Sequence, residues 1–276
     1  MTAGGESLDR PAFSAAHEHN RRAWNERATK GERFTRPAND ADVENFGSKI
    51  DLAWCGGSIA GKRVLCLAAG GGRQSALYAA AGAIVTVVDL SGEMLALDRA
   101  VAKERGLAIR AVETSMDDLS MFAAGAFDLV VQPVSTCYVP DVTAVYRQVA
   151  RVITPGGLYI SQHKQPASLQ CAIDPSAHGY ELVEPYYRSG PLPMVAGSLH
   201  REHGTLEFLH RWQELLGGLC RSGFVIEDVD EPLHAAAEAE SGSFAHRSRY
   251  VAPYVRMKAR RVGRPGETKH VWTPGH

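Results

Sequence analysis

Between residues 63 and 89 the chain passes from one strand-like apolar segment to another through a glycine triplet and a short Ala-rich helix, a succession few folds admit. Arg63-Val64-Leu65-Cys66-Leu67-Ala68 follows the turn Gly61-Lys62 and runs into Gly70-Gly71-Gly72. Gln74 to Ala81 has a helical composition and is stopped by Gly82. Ile84-Val85-Thr86-Val87-Val88 is β-branched up to Asp89, as a strand buried on both faces requires. Two such strands joined by so short a helical crossover must lie parallel, with the helix packed on one face of the sheet.

The rhythm continues downstream. Ser91 reads as the N-cap of a helix running to Arg105 and ended by Gly106. Leu107 to Val112 and Phe127 to Gln132 read as the third and fourth strands. A helix with the apolar stripe Val142, Val145, Val149 and Val152 spans Val142 to Ile153, and after Pro155-Gly156-Gly157 comes a fifth strand, Leu158 to Ser161. This alternation predicts an α/β fold with a doubly wound, mostly parallel sheet. Upstream, Pro11 to Thr29 has helical spacing that places Phe13, His17, Asn20 and Trp24 near one face, and a second helical stretch runs from Ala41 to Trp54. Beyond His163 the pattern is lost: Lys164 to His203 is rich in Pro, Gly, Tyr and His. Regularity returns with a helix from Leu209 to Arg221, a strand from Phe224 to Val229 and an alternating run from Tyr250 to Lys258.

Charge narrows the possible partners. The 276 residues carry 30 Lys+Arg against 31 Asp+Glu, a formal net charge of -1, which removes the electrostatic footprint of a nucleic-acid binder. The basic run Lys258 to Arg264 reads as a solvated end. The first ten residues lack an apolar secretory core, and the longest apolar stretch, Leu77 to Val88, is too short for a bilayer and is broken by Gly82 and Thr86. No membrane association is expected. Cys55, Cys66, Cys137, Cys171 and Cys220 form no C-x-x-C pair, so neither a disulfide framework nor a zinc site is expected, and the location expected is the cytoplasm. At least four of the five are expected as buried small hydrophobes. His200, His203 and His210 do not have metal-ligand spacing, and no metal is expected.

The chemistry concentrates in the glycine loop and in Asp89, 19 residues beyond Gly70. Glycines there let a ligand approach the backbone, and a carboxylate at the end of the next strand can accept both hydroxyls of a ribose. An adenosine-containing cofactor follows, although a tight strand-to-helix turn explains the glycines alone. A dinucleotide fingerprint wants a small residue where Arg73 stands, and a triphosphate loop wants G-K-[ST] where Arg73-Gln74 follows.

Taken in order, Val64 to Gly72, Val87 to Leu95, Phe127 to Val131, Arg151 to Leu158 and Gly223 to Glu227 resemble the corresponding motifs of the class I S-adenosylmethionine-dependent methyltransferases. The resemblance covers most of residues 61–163 and returns in 210–260. It implies a Rossmann-like fold with a seven-stranded sheet, S-adenosylmethionine as cofactor and S-adenosylhomocysteine as product. Ala68, Gly70 and Gly72 would then form the loop under the methionine part, Asp89 would take the ribose hydroxyls and Leu90 would pack beside the adenine. Ser115, Met116 and Asp117 lie where the family reads the adenine, and Gln132 would face the methionine amino group. Cys66 replaces the family's usual acidic residue, Ala68 its first glycine and Ser115 a common Asp. An alanine at 68 suits the loop if its φ is negative.

The same resemblance implies in-line methyl transfer to a small-molecule acceptor beyond the carboxyl ends of the strands. Tyr138 and His163 are the candidate catalytic residues there, with His178, Tyr180, Tyr186, Tyr187, His200, His203 and His210 offered by the irregular segment. Trp24 and Phe34 could cover the cofactor, and Arg36 could pair with an acidic acceptor or be solvated. The division expected is an N-terminal helical cap over 1–60, a cofactor-binding core over 61–163, a substrate lid over 164–209, completion of the core over 210–261 and a loose tail over 262–276. An NAD-dependent oxidoreductase and a non-catalytic cofactor-binding protein are the alternatives. A nucleic-acid or protein substrate is disfavoured, since Gln132-Pro133-Val134-Ser135 stands where an N/D-P-P-Y-like motif would. Oligomeric state is left open.

Overall fold

The computed structural model describes residues 14–195 and 198–262. Its centre is one seven-stranded sheet, built from β1 (Arg63–Leu67), β2 (Ile84–Asp89), β3 (Ile109–Glu113), β4 (Phe127–Gln132), β5 (Ile153–Lys164), β6 (Phe224–Asp230) and β7 (Tyr254–Arg261). The strand order is β3-β2-β1-β4-β5-β7-β6. β1 to β5 are parallel, and β7 runs antiparallel to both β5 and β6. The helices are α1 (Ala15–Thr29), α2 (Asp40–Glu44), α3 (Gln74–Ala80), α4 (Gly92–Arg105), α5 (Val142–Val152), α6 (Pro166–Gln170), α7 (Gly218–Arg221) and α8 (Phe244–Arg247).

The two-residue period of the strands sorts their side chains between two cores. Leu65, Leu67, Val88, Val130 and Tyr159 face the core completed by the α5 stripe Val142, Val145, Val149 and Val152. Val64, Cys66, Val85, Val87, Leu129 and Val131 face the opposite core, with Tyr78 of α3 and Leu95 of α4. Strand order reverses between β1 and β4, so a crevice opens at their carboxyl ends, where such sheets bind ligands.

The expected elements are present from β1 to β5, and Ser91 caps α4 by accepting from the Met94 amide at 3.1 Å. Other boundaries moved. The helix expected over 41–54 is only α2, closed by a reciprocal Asn39–Asp42 capping box and followed by a 3-10 turn, Phe46–Ser48; Asn45 and Gly47 are poor helix formers. The Leu209 to Arg221 helix starts at a π-helical turn, Gln213–Gly217, before α7. β7 begins at Tyr254 rather than Tyr250, and α6 and α8 were not anticipated. The basic run is no solvated end where it is described: Lys258 lies in β7 with its Nζ 3.2 Å from a Glu227 carboxylate oxygen, and Arg260 pairs with the same carboxylate. Only Cys55, Cys66 and Cys137 are buried; Cys171 is half-buried and Cys220 exposed, one fewer than expected. Pro11 and Phe13, and the tail from 263 to 276, lie outside the described residues. Among the described residues no helix is long and apolar enough to cross a membrane.

The irregular segment after β5 is held by polar bonds in place of a ladder. Arg247 of α8 is 1% exposed, and its guanidinium donates to the carbonyls of Ser168, Cys171 and Ala172 and to the Ser168 hydroxyl at 2.7–3.0 Å. Replacing it strands these acceptors, which costs about 1–3 kcal/mol each for buried groups. Arg247→Met is expected to lower stability by about 3 kcal/mol or more, seen as a lower midpoint of thermal denaturation together with faster proteolysis within 166–182. An unchanged midpoint would show that the segment is held by other means.

Candidate active site

A cavity of about 470 Å³ lies over the carboxyl ends of β1, β2 and β4, within the range of small-molecule sites. Ala68, Gly70, Asp89, Leu90, Ser115, Met116 and Tyr138 all line it; Gly72, Asp117, Gln132 and His163 do not.

The loop after β1 is shaped by contacts with α4. The Gly70 amide donates to Asp89 Oδ2 at 2.9 Å, and a Cβ on Gly70 would stand 2.8 Å from Met94 Cβ. Gly72, at φ +74°, is turned toward α4, where a Cβ would meet Val101 Cγ1 at 3.0 Å and the Leu97 carbonyl at 3.1 Å. Its glycine therefore serves helix packing. Ala68 has φ +46°, so the negative φ that would suit an alanine there is not adopted. That left-handed conformation costs an alanine about 1–2 kcal/mol.

Asp89 is aimed by two backbone amides, Gly70 on Oδ2 and Ser91 on Oδ1, each at 2.9 Å. Burial pushes its carboxyl above the usual range, against the pull of those bonds. Behind the next strand end, Asp117 pairs with His17 of α1 at 3.1 Å and accepts from the Ser115 hydroxyl. Burial would raise its carboxyl, yet those bonds hold it below the usual range. Asp117 thus ties α1 down beside Ser115 and Met116, itself standing back from the cavity. Gln132 is also withdrawn: its amide donates to the Ser135 hydroxyl at 2.9 Å and accepts from the Tyr159 hydroxyl.

On the other side stands Tyr138, edge-on to Trp24 with ring centroids 5.5 Å apart. Its hydroxyl donates to Glu202 Oε2 at 2.7 Å, and Lys164 Nζ donates to the same oxygen at 2.6 Å. Lys164 also meets Glu207, which pairs with Arg201. Burial drives the Tyr138 phenol far above its ordinary value, so it stays protonated. Burial would raise Glu202 as well, but Lys164 beside it keeps it ionised and low.

His163 does not fit the role expected of it. It is 1% exposed, with Nδ1 2.8 Å from the Thr136 hydroxyl and Nε2 2.8 Å from the Ser161 hydroxyl. Burial lowers its imidazole to about 3, and both nitrogens are occupied. None of His178, Tyr180, Tyr186, Tyr187, His200, His203 and His210 lines the cavity either. Trp24, Phe34 and Arg36 do. Among the described residues no group of three or more His, Cys, Asp or Glu could hold a metal ion.

Comparison with known proteins decides the family. A family model described as a methyltransferase domain matches residues 65–161. The "Uncharacterized methyltransferase YbaJ" of Bacillus subtilis is 33% identical over 229 residues, 78% of this chain and 89% of that one. The chain belongs to the class I S-adenosylmethionine-dependent methyltransferases.

A ubiquinone biosynthesis O-methyltransferase of Xanthomonas axonopodis pv. citri is 37% identical to this methyltransferase over 177 residues, 63% of this chain and 67% of that one. Among solved structures, an S-adenosylmethionine-dependent methyltransferase from Mesorhizobium loti superposes with a TM-score of 0.60 at 22% identity, covering 81% of this chain and 99% of its own. Geranyl diphosphate C-methyltransferase from Streptomyces coelicolor does so at 0.58 and 16% identity, covering 91% and 100%. These two share the fold.

Several residues that build the site escaped the sequence reading. Asn20 donates to the carbonyls of Tyr138 and Leu206 at 2.9 and 3.0 Å and accepts from the Leu206 amide, joining α1 to the segment after β5. Gln162, Glu202 and Tyr254 line the cavity from β5, the irregular segment after it and β7. Asp98 accepts from the Gly71 amide at 2.9 Å and from the Ser75 hydroxyl, fixing the loop from below. A signal for Asp98 was available, since it interrupts the buried stripe Met94, Leu95, Val101 of α4. Burial pushes its carboxyl up to about 7, opposed by the bonds from Ser75 and Gly71.

A carboxyl raised on folding binds its proton more tightly in the native state, so stability falls as pH rises between about 4, its unfolded value, and about 7. The slope reaches at most about 1.4 kcal/mol per pH unit. Thermal melts from pH 4.5 to 8 should show this decline for the wild type and a flatter profile for Asp98→Asn; equal slopes in both would assign the titration elsewhere.

Proposed function

We propose that this methyltransferase acts on a small-molecule acceptor, bound in the same cavity as the cofactor, on the Tyr138 side. The carrying observation is continuity: one cavity reaches from Asp89 and Ser115 to Trp24, Tyr138 and Glu202. The ubiquinone biosynthesis O-methyltransferases among the relatives support a small acceptor, and the balanced charge supports the absence of a nucleic-acid partner. Five free thiols support a cytoplasmic location.

The residues present suit the cofactor. Asp89, oriented by the Gly70 and Ser91 amides, would accept the ribose hydroxyls, Leu90 would pack beside the adenine, and Ser115 and Met116 would border its edge. Ala68 and Gly70 would lie beside the methionine part, while Gly72, Asp117 and Gln132 would act through the residues they hold. When bound, S-adenosylmethionine supplies an electrophilic methyl carbon, which leaves sulfur for the acceptor's nucleophile and yields S-adenosylhomocysteine.

The chain's own part is alignment and exclusion of water. α1, stitched to the lid by Asn20 and to α4 by a 2.6 Å bond from the Ser91 hydroxyl to Asn25, closes the cavity with Trp24. Tyr138 has its proton committed to Glu202, so its oxygen and the Glu202 carboxylate present acceptor lone pairs to a bound hydroxyl or amine. They orient the acceptor without removing its proton, since one is a protonated phenol and the other a weakly basic carboxylate. Positioning of two reactants can contribute about 7–11 kcal/mol to lowering a barrier.

Titration calorimetry with S-adenosylhomocysteine tests the assignment of Asp89. Asp89→Ala should weaken binding by at least about ten-fold, the loss of one or two charge-assisted bonds, with a melting transition retained to show that the variant folds. Unchanged affinity would remove Asp89 from the cofactor site.

A further inference from the structure

At the mouth of the cavity two cations lack counter-charges. Arg33 and Arg36 both line it, and neither has an ion pair or hydrogen bond among the described residues. Arg33 lies over the Phe34 ring, with its guanidinium carbon 4.9 Å from the centroid. The carboxylates that could neutralise this turn are engaged elsewhere: Glu32 with Arg27 at 3.1 Å, and Asp42 with the third cavity-lining arginine, Arg73, at 2.7 Å. Glu202 is balanced by Lys164.

The turn that carries the two arginines is fixed and strained. Phe34 is held at φ +71° and is 51% exposed, although a bulky residue rarely adopts that conformation. Bonds from the Thr35 amide to the Glu32 carbonyl and from the Ala38 amide to the Gly72 carbonyl, both at 3.1 Å, tether it to the glycine loop. Strain that the surroundings enforce on an exposed aromatic is a mark of a ligand clamp. Gln162 and Tyr254 also line the cavity, neither side chain has a hydrogen bond among the described residues, and both can donate.

We propose that the methyl acceptor carries an anionic group, a carboxylate or a phosphoryl, held at the cavity mouth by Arg33 and Arg36. Its apolar body lies between Phe34, Trp24 and Tyr138, and its reacting end points toward Gln162 and Glu202. Arginine suits both anions through paired N–H donors. The inference rests on the reading of this cavity as the site shared by cofactor and acceptor.

The test uses the full chain and begins with S-adenosylhomocysteine alone. Failure of the wild type to bind it would overturn the cofactor reading before any acceptor is added. With the complex saturated, 4-hydroxybenzoate and hexanoate are titrated beside their methyl esters, and phenyl phosphate beside phenol. At least one anion should bind about ten-fold or more tighter than its neutral counterpart, the worth of a charge-assisted bond, and the gap should shrink at high salt. The better of carboxylate and phosphate identifies the group. In Arg33→Gln/Arg36→Gln the preference should vanish while S-adenosylhomocysteine affinity stays within about two-fold of wild type, less than RT in free energy. Equal binding of neutral and charged probes, no binding of any anion, or a preference that survives the double substitution would each overturn the proposal.

Discussion

Everything in the site depends on how the loop after β1 is held, and it is held by two carboxylates from neighbouring elements. Asp89 takes the Gly70 amide and Asp98 takes the Gly71 amide, each at 2.9 Å. Three consecutive glycines would otherwise leave the loop with the largest conformational entropy the backbone can have. Capturing two successive amides removes that freedom. The two acids play different parts. Asp89 keeps contact with the cavity and is available to a ligand, whereas Asp98 is wholly buried and completes its bonding inside the protein. Burial raises the Asp98 carboxyl, and Asp89 nearby adds to the shift.

A second polar device closes the other end. Lys164 ends β5, and the 164–209 segment returns to it through Glu202 and Glu207, while Arg201 completes a buried set of two cations and two carboxyl groups. Desolvating such groups is costly, and removing one partner is costlier than never having the set. The network therefore fixes the 164–209 segment against β5 and against Tyr138. α1 is added by Asn20, whose amide satisfies backbone groups of both the 164–209 segment and the Tyr138 turn. These polar bonds, with the Trp24–Tyr138 ring contact, join α1 and that segment to the sheet.

These two devices explain what could be read from residues in order and what could not. The strands and helices of 61–163 were legible because apolar periodicity, β-branched runs, the Ser91 cap and the glycine stops all act over a few residues. The doubly wound sheet followed from them, and the family from the order of the motifs. Asp89 and the loop were legible for the same local reason. The φ of Ala68 was left conditional, because it is set by the path of the chain into the glycines and not by the residue's own identity. Tyr138 was placed at the cavity by its position after a strand, but so was His163. Only the Thr136 and Ser161 hydroxyls, brought to it by the fold, show that its nitrogens are already used. Glu202 and Gln162 belong to stretches where no period distinguishes one polar residue from its neighbours.

The same distinction bears on where acceptor choice can reside. The carboxyl ends of β1 and β2 that border the cavity are specified redundantly, by backbone amides held on Asp89 and Asp98 and by alternating buried side chains, and tolerate little change without loss of packing. The other walls of the cavity come from the turn carrying Arg33 and Phe34, from the 164–209 segment through Glu202, and from the antiparallel strand β7 through Tyr254. A substitution at Arg33, Phe34 or Tyr254 alters charge or shape there while leaving the two buried cores untouched, since none of the three belongs to either. A loop fixed by Asp89 and Asp98, with the cavity's other walls borne on separate elements, lets the sheet keep its two cores while the side chains around the cavity change.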